Sequence, residues 1–84
     1  MLPEGLIELN ISENNCIKIP SLPSSLKVLK CRGIGLVYLP KLPEGLVELD
    51  FGGNDVNELY LLPTTLKKLI CDNNDIKLVL ELPP

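Results

Sequence analysis

Histidine is absent from this 84-residue chain, and aromatic side chains are confined to Tyr38, Phe51 and Tyr60. Nowhere do apolar residues run long enough to cross a bilayer, which takes roughly 20 in succession. Each absence removes a class of function. Without histidine the usual base for a nucleophile is missing, so Ser12, Ser21, Ser24, Ser25 and the cysteines have no recognisable activating partner. The opening Met-Leu-Pro-Glu-Gly carries neither the basic region nor the apolar stretch of an export signal. Cys16, Cys31 and Cys71 are odd in number and lack C-x-x-C spacing, which speaks against a disulfide framework and against a zinc site. The expected setting is reducing and intracellular, the cytoplasm. There the sequon Asn10-Ile11-Ser12 carries no sugar.

Basic residues are scarce too: eight Lys and Arg against eleven Asp and Glu leave a net charge of -3. A general phosphate-binding surface needs clustered cations, so nucleic acid is not an expected partner, and neither is a membrane. Gly33-Ile34-Gly35 lacks the later glycine and the lysine of a phosphate loop. Asp72-Asn73-Asn74-Asp75 lacks the glycine and distal glutamate of a calcium loop. Glu48 and Asp50 have no apolar cleft to shift their titration. The chain is expected to be no enzyme, with no catalytic residue, cofactor or metal.

What the chain does have is a repeat. Leu-Pro recurs at Leu2-Pro3, Leu22-Pro23, Leu42-Pro43, Leu62-Pro63 and Leu82-Pro83, every 20 residues without a slip. This divides one domain, 1–84, into units 2–21, 22–41, 42–61 and 62–81 and a partial fifth at 82–84. Aligned on it, five columns stay apolar: Leu6/Leu26/Leu46/Leu66, Leu9/Leu29/Leu49/Leu69, Ile11/Cys31/Phe51/Cys71, Cys16/Leu36/Val56/Ile76 and Ile19/Leu39/Leu59/Val79. Such columns arise when equivalent side chains stack, one unit above another, into a continuous core. Alternation around the middle of each unit predicts a short strand, and neighbouring units predict a parallel sheet with strands centred near Leu9, Leu29, Leu49 and Leu69. Pro20, Pro23, Pro40, Pro43 and Pro63 remove donors and favour extended or turn-like backbone in the remainder. Helix content should be close to nil.

Asn14, Asn54 and Asn74 share a column, where a side-chain amide can bond backbone groups of its own turn and of the adjacent unit. The second unit has Ile34 there, between Gly33 and Gly35, and a locally altered turn is expected.

The pattern L-x-x-L-x-L-x-x-N-x-L, as in Leu6, Leu9, Ile11, Asn14 and Cys16, resembles leucine-rich repeats of the short, 20-residue type. The Leu-Pro-x-x-Leu opening is similar to repeats of bacterial effectors secreted into host cells. The phrasing of Leu22 to Cys31 is similar to short repeat proteins of giant DNA viruses of amoebae. The resemblance covers Leu2 to Pro84. It implies a β-rich solenoid with short parallel strands on a concave face, an extended or turn-like convex side, and little or no helix. It also implies a protein-binding platform, usually through the concave face. Bacterial members add an N-terminal helical cap, and some a C-terminal ubiquitin ligase with a catalytic cysteine. This sequence has room for neither, so the viral kind fits better, in a host cell or virion.

Residues alternating with the buried leucines should line that face: Glu8, Val28, Glu48 and Lys68, then Asn10, Lys30, Asp50 and Ile70, then Ser12, Arg32, Gly52 and Asp72. The expected binding residues are Glu8, Asn10, Val28, Lys30, Arg32, Glu48, Asp50, Lys68, Ile70 and Asp72, toward an unidentified protein, with Val28 and Ile70 as exposed apolar contacts. The bland reading is a solvated face on which Lys30 neutralises Asp50 and Glu48 neutralises Lys68 across strands about 4.8 Å apart. Each such pair contributes about 0–1 kcal/mol. Cys31 and Cys71 lie two units apart, roughly 10 Å, beyond disulfide reach, and read as small core hydrophobes. A homo-oligomer through an end strand is expected as a means of hiding an open end. Lys67 and Lys68 count against the C-terminal edge. The alternative function is a structural component that self-assembles through uncapped solenoid ends.

Overall fold

The computed structural model describes residues 4–13, 19, 21–59 and 62–79. Asn14, Cys16, Pro20, Tyr60, the side chain of Val79 and the terminal Leu-Pro pairs, Leu2-Pro3 and Leu82-Pro83, lie outside them. The described residues contain no helix. The strands are β1 (Glu8–Asn10), β2 (Val28–Lys30), β3 (Glu48–Asp50), β4 (Glu58–Leu59), β5 (Lys68–Ile70) and β6 (Leu78–Val79). β1, β2, β3 and β5 form one parallel sheet in that order, in the register Leu9↔Leu29↔Leu49↔Leu69. The 20-residue sequence period is thus the step from strand to strand.

The same backbone bonds recur at each step. Ile7 C=O accepts from Lys27 and Val28 N–H, Lys27 C=O from Val47 and Glu48 N–H, and Val47 C=O from Lys67 and Lys68 N–H. At the other end of the strands Ile11, Cys31 and Phe51 N–H donate to Lys30, Asp50 and Ile70 C=O at 2.8–2.9 Å.

Beneath the sheet the predicted columns pack together. Leu26, Leu29, Cys31, Leu46, Leu49, Phe51 and Val56 are fully buried, while Leu6, Leu9, Leu66 and Leu69 are half-buried. Burial peaks in the two middle units because each has a neighbour on both sides.

After each strand the chain turns through a left-handed residue: Glu13 (φ 63°), Gly33 (φ 62°), Gly53 (φ 68°) and Asn73 (φ 55°). The altered turn expected in the second unit is present, with both glycines at positive φ, although Gly33 itself matches its counterparts in the other units. The difference lies at Gly35 (φ 76°), where Asp55 and Asp75 have ordinary dihedrals, and Ile34 is buried in the core.

At the Leu-Pro corner two solutions alternate. Gly5 and Gly45 take positive φ (88° and 98°). Ser25 and Thr65 instead donate their hydroxyls back to Leu6 and Leu46 C=O, at 2.7 and 2.8 Å.

Opposite the main sheet, extended backbone was expected and a second, two-stranded parallel sheet is present, with Glu58↔Leu78 and Leu59↔Val79 in register. Pro40 follows the corresponding Tyr38-Leu39 segment, which forms no strand. Proline has no N–H to give a ladder, whereas the third and fourth units carry Tyr60 and Leu80 at that position.

Candidate partner-binding face

Alternation along β1, β2, β3 and β5 directs the leucines inward and their neighbours to the open face. The register places Glu8 beside Val28, Val28 beside Glu48 and Glu48 beside Lys68, and it brings Asn10, Lys30, Asp50 and Ile70 into the next row. Glu8, Asn10, Lys68 and Asp72 are exposed, and Lys30, Arg32 and Glu48 half-buried. Three expectations need correction. Val28 lies between Glu8 and Glu48 in the register and Ile70 beside Asp50, and both are half-buried rather than exposed. Asp50 is buried, at 7% exposure, and its Oδ1 accepts the Gly52 N–H at 3.1 Å. It serves the fold before it serves any partner.

The third correction concerns charge. Asp50 stands beside Lys30 in register, yet the cation held against it is Arg32, with Nη1 2.8 Å from Asp50 Oδ1. The same guanidinium forks onto Asp72, Nη1 to Oδ1 and Nη2 to Oδ2, both at 3.1 Å. A forked Arg–carboxylate contact fixes orientation as well as charge. Asp72 belongs to a unit two steps away, about 10 Å at sheet spacing, and what lies between is Gly52. A Cβ on Gly52 would sit 2.5 Å from Arg32 Nη1 and 2.6 Å from Asp72 Oδ1. The missing side chain is the channel through which Arg32 reaches across. All three residues stand in one column of the repeat, so the signal was present in the sequence. What it lacked was any sign that a long side chain would cross a whole unit.

Hydrogen bonding to Arg32 holds the Asp72 carboxyl below its ordinary 3.8, and the two carboxylates, Asp72 first, hold the Arg32 guanidinium still further up its range. A depressed carboxyl contributes stability above its ordinary pKa that is lost as pH falls through the depressed value. Gly52→Ala should keep the fold, since only the ends of flexible side chains must move, and should free Asp72. In an NMR titration its carboxyl should then rise toward the ordinary range. An unchanged Asp72 titration in that variant would mean the fork does not depend on the gap.

Asn54 and Asn74 do what their column predicts. Asn54 Oδ1 accepts the Ile34 and Leu36 N–H at 3.0 Å, and its Nδ2 donates to Cys31, Phe51 and Gly52 C=O. Asn74 repeats the motif on Val56 N–H and Phe51 C=O. Each asparagine thus secures its own turn and that of the preceding unit. Among the described residues no buried side-chain polar atom lacks a partner, and no three His, Cys, Asp or Glu cluster as metal ligands.

Burial, and then the Asp50 carboxylate, push the Cys31 thiol from 9.0 up to about 12, and burial raises Cys71 as well. The thiolate is the nucleophile, so Cys31 should resist a thiol reagent at pH 8 until the protein unfolds. A raised thiol pKa adds stability that is complete below about pH 9 and lost as pH rises toward 12. Denaturant titrations across that window should show the loss, and Cys31→Val should lack it.

Sequence reading did not single out the exposed apolar side chains Ile7, Val37 and Tyr38, the last 72% exposed. Val37 and Tyr38 border a cleft of about 410 Å³, and a second of about 500 Å³ shares Ile19 and Pro40 with it. No helix among the described residues is long and apolar enough to cross a membrane. No family model, curated protein or solved structure matches the chain.

Proposed function

We propose that the chain is a leucine-rich-repeat solenoid of the short, 20-residue type and that it works as a non-catalytic protein-interaction module. The partner is a protein engaged by the open face of the four-stranded sheet, the concave face in that architecture, in an intracellular setting that is viral or host-directed. The observation that carries the reading is the charged array on rigid strands: Arg32 clamped between Asp50 and Asp72, with Glu8, Lys30, Glu48 and Lys68 presented beside it in fixed register. Alternating charge on a preorganised surface selects one complementary partner and rejects like-charged ones. A protonated, buried Cys31 thiol and a chain without histidine favour binding over catalysis.

Because Arg32 is committed to two carboxylates, a charge reversal there would damage the clamp as well as the face. Lys30 and Lys68 are better probes. The immobilised chain should capture a defined protein from lysate of its native source. Lys30→Glu with Lys68→Glu should lose it, and Glu4→Lys with Asp75→Lys should retain it. Capture of the same proteins by the face-reversed variant would sink this reading.

A further inference from the structure

We propose that the chain assembles head to tail with further copies of itself, the outer edge of β5 pairing in parallel with the outer edge of β1 in the next copy. This does not depend on what the open face binds. β1 and β5 are the outermost strands of the main sheet among the described residues, and the contacts such a junction needs already occur three times inside the chain. Continuing the series, Lys67 C=O would accept from Ile7 and Glu8 N–H of the next copy, as Val47 C=O accepts from Lys67 and Lys68. Cys71 N–H would donate to the next Asn10 C=O, as Phe51 N–H donates to Ile70. The half-buried Leu66 and Leu69 would meet the half-buried Leu6 and Leu9, members of their own columns, which are fully buried in the middle units.

The corner chemistry agrees. The described chain begins with a glycine corner at Gly5 and ends with a hydroxyl corner at Thr65, so the junction would repeat the Ser25-to-Gly45 step between the second and third units. Charge then selects head to tail over symmetric pairing. Residues 4–13 hold Glu4, Glu8 and Glu13 and no cation, whereas the equivalent residues 64–73 hold Lys67 and Lys68 and one carboxylate, Asp72, which is already forked onto Arg32. Two β5 edges set lysines together and two β1 edges set glutamates together, which is unfavourable, while β5 against β1 sets Lys68 beside Glu8. Edge lysines therefore reject their own kind and accept the opposite end. A heterologous contact of this sort does not close on itself and grows by addition.

Sedimentation at low salt over a wide concentration range tests this. The average mass should climb past the dimer without a plateau and fall when salt is added. Glu8→Lys and Lys68→Glu should each weaken association about tenfold, through replacement of an attractive by a repulsive pair. An equimolar mixture of the two variants should restore it, since every mixed junction again joins opposite charges. Glu48 lies beside Lys68, so Lys67→Glu, whose inner neighbour is Val47, serves where Lys68→Glu weakens the fold. A monomer at every concentration, a mass that stops at the dimer, or a mixture no more associated than its components would overturn the proposal. Lys30→Glu alone, on the inner strand β2 and away from both edges, keeps the partner-capture test separate from this one.

Discussion

Asn54→Leu should be the most damaging single substitution in the molecule. Leucine matches asparagine in size but leaves Ile34 N–H, Leu36 N–H and Cys31 C=O without the partners that Asn54 supplies. Asn54 is itself buried, at 5% exposure, so water cannot readily replace the amide. Each orphaned buried group costs about 1–3 kcal/mol, and three put the loss at about 3–9 kcal/mol. Small domains hold only about 5–15 kcal/mol in total. The cooperative transition should drop by about 20 °C or disappear. Asn74→Leu gives the internal control. Asn74 is half-buried and reaches fewer groups of its neighbour, so its loss should be about half as large. Thermal melts of both variants decide this, and equal losses would show that the amides are not linking successive units.

Position along the stack should govern the cost of emptying a leucine column. Leu49→Ala removes a fully buried side chain flanked in register by Leu29 and Leu69. Leu→Ala changes in well-packed cores cost about 2–5 kcal/mol, and this one belongs near the top of that range. Leu9→Ala empties the same column at an edge strand, where the side chain is only half-buried, and should cost about 1–2 kcal/mol. Urea unfolding of the two variants, with unchanged slopes, should separate their midpoints clearly. A Leu9 variant as unstable as the Leu49 variant would mean that burial does not build up from unit to unit.

Much of this was legible in the sequence because a period of 20 residues is a geometric statement. Once Leu-Pro recurs without a slip, Leu9, Leu29, Leu49 and Leu69 must occupy equivalent places, and alternation decides which neighbours face away. The asparagines were legible for a related reason: Asn54 and Asn74 stand where the turn leaves backbone groups unpaired. Reach and backbone detail were not legible. Asp50 alternates with buried residues and reads as exposed, yet Arg32 and the Gly52 N–H draw it inward. Lys30 is its nearest cation by column, but Arg32 is long enough to bridge two carboxylates through the gap at Gly52. The β4–β6 pairing follows from which units lack proline after the outer segment, a difference that the shared columns conceal.

The central claim is that successive 20-residue units lie side by side, in register, over one leucine core. NMR of the isotope-labelled chain tests it most directly, through cross-strand proton contacts between residues 20 apart. Contacts linking the Leu9, Leu29, Leu49 and Leu69 strands in that order, with Lys27 close to Ile7, are the predicted result. Short-range helical contacts, or strands paired at any other offset, would contradict it.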